Sequence, residues 1–322
     1  MKFGTYRIRK ALERRILARS GVLARHLRCG LPVFAPWRRH RLDVVRDRGL
    51  GDVLMCTPAL REAKLANPLL RIFFYTDFGD LIRGLPYIDD VFPTELAPKA
   101  AHYLGYEDAT PPKVHLAKIL GDRLGVKVRD VRPDCIINHN LVQKYKESWG
   151  AGPNIIILRR ASRWTPNKDW PMSSWDELVK KLSDKYKIVE IGEKRDVTRN
   201  EQIRVNVDLR GKTDSAQLVA AIAAADLYVG PDSGPMHIAG AVGTKSVVIY
   251  GGYIHPVTTA YAGTWPLYTA VSCAPCWLRE PCPYDRRCLA AISVDAVETA
   301  VAAALGAAVP YAATGGPSAG RR

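Results

Sequence analysis

The sequence predicts an α/β protein with two parallel-sheet domains facing a shared cleft. Short apolar runs rich in β-branched residues alternate with segments of helical spacing from Leu42 onward, a pattern that lays helices over parallel strands. The alternation pauses at residues 146–153, polar and then Gly/Pro-rich, and restarts at Ile155. A chain of 322 residues, 47% hydrophobic, is long enough to bury two modest cores. Ligands of open α/β sheets sit beyond the carboxyl ends of the strands, so two such sheets facing one another place a cleft there.

A first strand over residues 42–46 leads through a glycine turn to Asp52, and residues 53–65 have helical spacing. Residues 71–75 read as a second strand, with a short third one near Val91. Residues 115–124 read as a helix followed by Gly125, and residues 134–138 as a further strand candidate. Beyond the linker, residues 154–158 form a buried strand that opens a long polar loop. Ser174-Trp175-Asp176-Glu177 has the form of a capping box and starts a helix through Leu182. Residues 187–191 are the next strand, Asp214 to Gln217 open a helix through Ala224, and residues 227–229 are a short apolar strand. The final residues, 311–322, are small or polar and are expected to be disordered.

Residues 230–243 have the composition of a phosphate cradle at a helix start. Gly230 and Gly234 allow a sharp turn, and Pro235 suits the first helical position, where its missing N–H is not needed. The N–H groups of Ser233, Gly234 and Met236 then point out of the helix start with the positive end of the dipole behind them. A diphosphate fits there. Asp232 carries the wrong charge for phosphate and is expected to cap the helix. A strand-to-helix turn without a ligand is the plainer alternative.

Three blocks stand in order along the chain: Gly51-Asp52-Val53-Leu54 with Pro58-Ala59-Leu60, Lys168-Asp169-Trp170-Pro171, and Asp232-Ser233-Gly234-Pro235-Met236-His237-Ile238-Ala239. On these blocks the chain resembles glycosyltransferase family 9, the ADP-heptose:lipopolysaccharide heptosyltransferases, over residues 42–304. The resemblance implies a GT-B arrangement: two Rossmann-like parallel-sheet domains, with an acceptor-binding domain over residues 42–150 and a nucleotide-sugar-binding domain over residues 151–310. It implies an inverting, metal-independent transfer of heptose from ADP-heptose to a sugar hydroxyl of a lipopolysaccharide core. Another nucleotide sugar with a protein, small-molecule or nucleic-acid acceptor is the alternative, and a nucleotide-binding, membrane-associated protein without turnover is the non-enzyme alternative.

Glycosyl transfer needs a base for the acceptor hydroxyl and a positive field for the leaving diphosphate. Asp52 follows the first strand through a glycine turn, and the resemblance makes it the general base; a helix cap is its other role, and the two are compatible. The resemblance sets Lys168 against the donor phosphates, where a compact cation neutralises developing charge. Ser162, in the same loop, could donate a hydrogen bond to phosphate. His237 falls in the first turn of the cradle helix, where it could bond the diphosphate or steady the loop. Glu193, or Asp196 in its place, matches the acid that contacts the nucleotide ribose. Asp89 and Asp90 read as surface residues.

The charge is uneven. Of the net +15, residues 1–41 hold +11, with twelve Lys or Arg against Glu13 alone. Ile8, Leu12 and Ile16, then Leu23, Leu27 and Leu31, recur every four residues, so this arm reads as a basic amphipathic helix for an anionic membrane surface. A helix packed on the core is the alternative. A basic stripe does not separate sources of phosphate, but no recognised nucleic-acid module accompanies it. No apolar run approaches the roughly 20 residues of a membrane span, and the N-terminus lacks the apolar stretch of a signal peptide. The expectation is a cytoplasmic protein, peripheral on the inner face of the inner membrane, with reduced cysteines. Cys273, Cys276, Cys282 and Cys288 fall within 16 residues and could hold structural Zn²⁺ or iron, or pack as four free thiols. Similar cysteines hold iron in a protein-modifying branch of the resembling family.

Overall fold

Among the residues described by this computed structural model, 41–109, 111–160, 165–196 and 205–306, ten strands lie in two wholly parallel sheets. The basic arm as far as residue 40, Ser162 and the tail 311–322 lie outside the described residues. Arg41, counted with the arm on charge, opens β1.

The first sheet contains β1 (Arg41–Val45), β2 (Arg71–Tyr75), β3 (Asp90–Phe92) and β4 (His102–Tyr103), in the order β3-β2-β1-β4. Helix α1 (Leu50–Ala66) joins β1 to β2, and α2 (Leu116–Leu124) and α3 (His139–Trp149) complete this half. The second sheet contains β5 (Asn154–Leu158), β6 (Lys187–Ile191), β7 (Val207–Asp208), β8 (Leu227–Pro231), β9 (Lys245–Gly251) and β10 (Thr264–Tyr268), in the order β10-β9-β8-β5-β6-β7. Its helices are α4 (Met172–Ser183), α5 (Ser215–Ala224), α6 (Gly234–Val242), α7 (Arg287–Ala290) and α8 (Val294–Gly306).

In both sheets the chain winds outward from its first strand and then returns to that strand's other side. The reversal falls between β1 and β4, and between β5 and β8. At such switch points the loops above adjacent strands diverge and leave a crevice. All five residues of β5 are buried, because helices cover both faces of a parallel sheet. Ile156 and Leu158 join a cluster that runs on to Leu54, Leu60 and Phe74 of the first half, with Trp149 and Met236 between. Ile155 and Ile157 face the other way, onto Trp170, Trp175, Val297 and Val301.

Several elements differ from their sequence reading. Residues 134–138 form no strand, because their polar groups bond to loops and helices instead of a ladder. The Asp134 N–H donates to Thr57 Oγ1 at 2.8 Å, the Ile136 N–H to the Leu81 carbonyl at 2.8 Å, and Asn138 caps α3. The presumed linker begins later than its polarity implies, since residues 146–149 are the last turn of α3, whose Trp149 is buried. Helix α4 starts at Met172, and the N–H groups of Ser174 and Trp175 already donate to the Pro171 carbonyl. Burial of Trp175 edge-on against Trp170, 5.2 Å between centroids, draws the helix start forward.

Helix α1 carries Pro58 in its interior, which removes the N–H that would donate to the Leu54 carbonyl. The Thr57 hydroxyl takes that carbonyl at 2.7 Å. The N-terminus of α1 then meets the N-terminus of α6. A methyl group on Gly51 would come 2.5 Å from His237 Cδ2 and 3.3 Å from Gly234 Cα, so only glycine fits. A Gly51→Ala variant is expected to lose about 1–3 kcal/mol of stability by overpacking. Denaturant unfolding measures this, and an unchanged midpoint would mean the two helix starts do not touch.

Candidate active site

Asp52 is the third residue of α1, and its Oδ2 accepts the Gly49 N–H at 3.0 Å, so the capping role is met. Its Oδ1 accepts Arg46 Nη2 and the Tyr106 hydroxyl, each at 2.6 Å. Burial opposes the charge, but the Arg46 guanidinium and the Tyr106, Arg46 and Gly49 hydrogen bonds outweigh it and hold the carboxyl below the usual carboxylate range. Arg46 directly follows β1 and is only 1% exposed; its Nη1 donates to Glu107 Oε1 at 2.7 Å and to the Tyr103 hydroxyl at 3.0 Å. Burial, then Asp52, keeps the Tyr106 hydroxyl protonated well past its usual range, so it stays a donor. Tyr103, Tyr106 and Glu107 come from β4 and the loop after it, across the switch point from β1. Sequence reasoning missed Arg46 and Tyr106, which bond Asp52, and Tyr103 and Glu107, which hold Arg46. Arg46, a charge at the end of an apolar strand, was the available signal.

In the second half, Ser233 is the N-cap of α6, and its Oγ turns back to the Pro231 carbonyl at 3.3 Å, so no side chain caps this helix. The N–H groups of Ser233 and Gly234 donate to nothing among the described residues, and Pro235 has none. Met236 does not belong with them, since its N–H is spent on the Ser233 carbonyl at 3.0 Å. Gly230 and Gly234 have ordinary φ; they serve close approach, of the Tyr228 hydroxyl in one case and of Leu50 in the other. Asp232 does not cap α6. Its Oδ2 pairs with Lys168 Nζ at 2.7 Å, and its buried Oδ1 has no hydrogen-bond partner within 3.5 Å among the described residues. Burial works against the Asp232 charge, and Lys168 and His237 more than offset it, leaving the carboxyl below its ordinary range.

Lys168 closes a short turn after β5, lies 4.9 Å from the Tyr253 ring centroid, and also donates to the Asp232 carbonyl at 3.1 Å. The β5–β8 switch point therefore brings the lysine to the start of α6. Its neighbour Asn167, buried and missed by sequence reasoning, fixes this loop. Asn167 Nδ2 donates to the carbonyls of Leu278 and Glu280 at 2.8 and 2.7 Å, and its Oδ1 accepts the Cys282 N–H at 3.0 Å. His237 is buried, with Nδ1 2.6 Å from the Tyr261 hydroxyl. Burial is the main cause that brings its pKa down to about 4, so the ring is neutral at pH 7 and steadies the α1–α6 contact. Tyr261 also lies 5.4 Å from His115, the N-cap of α2, and so ties the halves together.

Glu193 stands apart from this group. It lies beyond β6, two strands from β8, half-exposed and paired with Arg195 at 3.0 Å. Asp196 accepts the Glu193 N–H at 2.7 Å and faces a small recess lined by Arg159, Arg160, Met172, Glu190 and Ile191. Asp89 accepts the Ile72 N–H at 2.8 Å and Asp90 pairs with Arg83 at 3.2 Å, both remote from the cleft loops.

The four cysteines lie on the strap between β10 and α8. The Cys276 N–H and the Trp277 N–H donate to the carbonyls of Gly252 and Tyr253, which fastens the strap beside Lys168. Burial, and then the nearness of Cys288, Cys273 and Cys282, raises the Cys276 thiol above its usual range. Four crowded thiols are a soft donor set, yet among the described residues no three His, Cys, Asp or Glu side chains stand as a ready ligand set. No helix of the described residues is long and apolar enough to cross a membrane.

Two parallel-sheet halves with apposed switch points define a GT-B-like fold, and three solved structures share it. The glycosyl transferase family 9 protein from Veillonella parvula DSM 2008 superposes with a TM-score of 0.64 at 20% identity, over 82% of this chain and 97% of that one. The Escherichia coli ADP-heptose lipopolysaccharide heptosyltransferase II gives 0.61 at 18%, over 82% and 98%. The iron-containing dodecameric glycosyltransferase TibC from enterotoxigenic E. coli H10407 gives 0.67 at 19%, over 82% and 78%. Lipopolysaccharide heptosyltransferase 2 of Escherichia coli (strain K12) is 34% identical over 96 residues, which span 27% of this chain and 28% of that relative. The model of glycosyltransferase family 9 (heptosyltransferase) matches residues 113–282, more than half of the chain. The protein belongs to glycosyltransferase family 9.

The geometry makes Lys168 a test of the cradle. A Lys168→Ala variant loses the cation and leaves the Asp232 charge unpaired at the start of α6, so both effects oppose an anion. Binding of a nucleoside diphosphate is expected to weaken by about tenfold or more, with little change for the nucleoside. Calorimetric titration with ADP and adenosine measures this; equal weakening of both would place the diphosphate elsewhere.

Proposed function

We propose that the protein is an inverting glycosyltransferase that moves heptose from ADP-heptose to a sugar hydroxyl of a lipopolysaccharide core. One observation carries this reading: the start of α1, the helix that holds Asp52, is in contact with the start of α6, where the Ser233 and Gly234 N–H groups have no partner among the described residues and Lys168 pairs with Asp232. Family membership and the heptosyltransferase relatives support the donor and the acceptor class.

The acceptor sits on the first half, over residues 42–150, and the nucleotide sugar on the second, over residues 151–310. Asp52 takes the proton of the acceptor hydroxyl through Oδ2, which has received only the Gly49 N–H. The acceptor oxygen forms its bond to the anomeric carbon as the bond to the diphosphate breaks on the opposite face, so the configuration inverts. The departing diphosphate gathers charge at the N–H groups of Ser233 and Gly234 and at Lys168, which leaves Asp232 to hold it. Glu193 or Asp196 contacts the ribose, Ser162 adds a hydrogen bond to phosphate, and His237 acts by steadying the loop. The basic arm holds the enzyme on anionic lipid at the inner face of the inner membrane, where such an acceptor is made.

The strap cysteines Cys273, Cys276, Cys282 and Cys288 are the donor set for one structural Zn²⁺ or iron, which would draw them together and brace Asn167 and Lys168. Freshly purified, reduced protein is expected to carry about one metal per chain, and Cys276→Ser to lose metal and stability together. Elemental analysis without metal would leave four packed thiols.

The base assignment is tested with Asp52→Asn. Turnover of ADP-heptose is expected to fall by about 10²–10⁴-fold, with donor affinity nearly unchanged. Near-normal turnover would leave Asp52 only its capping role.

A further inference from the structure

Asp52 is gripped from outside its own helix. Two of its three hydrogen bonds, from Arg46 and Tyr106, converge on Oδ1, and the third is the cap on Oδ2. Arg46 is itself fixed at its other nitrogen, where Nη1 meets Glu107 Oε1 and the Tyr103 hydroxyl. Tyr103 donates to the same Glu107 oxygen at 3.0 Å, so the fork of the guanidinium spans two carboxylates, one on α1 and one after β4. A lysine, a single point of charge, cannot span them. The Arg46 side chain is almost wholly buried, whereas Asp52 and Glu107 keep about a fifth of their side-chain surface open, at 20% and 19%. Substrate can therefore reach the carboxylates, but it cannot reach the cation between them.

We infer that Arg46, clamped by Glu107 and Tyr103, is the positioning residue of Asp52, fixing Oδ1 together with Tyr106 and leaving Oδ2, ionised, toward an acceptor hydroxyl. The inference rests on Asp52 being the base of the proposed reaction. The surroundings of the carboxylate agree with it. Arg46 and Tyr106, Cys56 one turn along α1 and His237 from α6 act on Asp52 itself, while Arg48, Tyr103 and Glu107 surround Arg46. Of these, the buried cation is Arg46. Cys56 and Tyr106 are held protonated by burial, and His237 is neutral at pH 7. Without Arg46, the Asp52 carboxylate would lose the cation that opposes its burial and would hold its proton more tightly. A protonated Asp52 cannot accept the hydroxyl proton. Glu107 anchors that arginine.

The experiment titrates the Asp52 carboxyl carbon by NMR in the full-length protein without substrate, the resonance being assigned by its absence from Asp52→Asn. Three proteins are compared: wild type, Arg46→Lys, and Arg46→Met/Glu107→Gln, which removes one charge of each sign and leaves no carboxylate stranded. The expected titration midpoint rises in that order, by about one pH unit or more at the last. The acid limb of kcat/KM for ADP release from ADP-heptose, with a deacylated lipopolysaccharide-core acceptor, is expected to rise with it. A resonance that titrates alike in all three overturns the role of Arg46. A resonance that shifts while the rate limb stays in place overturns the base assignment instead. If the double variant fails to fold, Arg46→Lys decides alone: its midpoint must exceed that of wild type, and an unchanged midpoint overturns the inference.

Discussion

The approach of two helix starts governs the rest of this structure. Each N-terminus is the positive end of a dipole, and two such ends held together are mutually unfavourable unless negative charge is placed between them. The protein supplies one carboxylate to each: Asp52 inside the first turn of α1 and Asp232 just ahead of α6. The glycines at 51 and 234 remove the side chains that would keep the helices apart. The continuous buried cluster between the sheets, together with Tyr261 lodged against both His237 and His115, holds them there. Under the proposed function, a diphosphate arriving at this point meets a field arranged for an anion, and Lys168 exchanges the Asp232 carboxylate for phosphate.

Among the described residues, the buried ion groups gather at the carboxyl edges of the two sheets. Charges removed from water cost more than their pairing returns, so packed apolar side chains would serve stability as well or better. The pairs Lys168–Asp232 and Arg46–Asp52–Glu107 both sit at switch points, where the loops above a sheet diverge. A third buried pair, Arg159–Glu190 at 2.8 Å, lies beside the recess below Asp196, again at the carboxyl edge of the second sheet.

Much of this was legible in the sequence, for reasons tied to particular residues. The strands at 71–75, 154–158 and 187–191 were readable because parallel strands buried on both faces are apolar throughout. The positions of Asp52, Lys168 and the Gly230 loop at strand ends were legible because each stands on or just beyond a readable apolar strand. What escaped was whatever depends on a distant partner. The capping role given to Asp232 was local reasoning; its lysine lies 64 positions away and claims the carboxylate first. Residues 134–138 have the composition of a strand, but among the described residues no strand pairs with them. Arg46, Tyr106 and Glu107 form one unit only because β4 returns beside β1, which no local pattern announces.

Asn167 reads the strap through main-chain atoms alone, accepting one N–H and donating to two carbonyls. The side chains at 278 and 280 are therefore free to be replaced, provided the path of the chain is kept. Arg286 follows the same logic in the opposite direction, donating to the carbonyls of Pro166 and Asp169 on either side of the lysine. The seam between strap and loop thus tolerates drift in residue identity but not in length. Related chains could differ at 278 and 280 and still hold the lysine in place, while a one-residue insertion between 278 and 282 would shift the three main-chain contacts out of register.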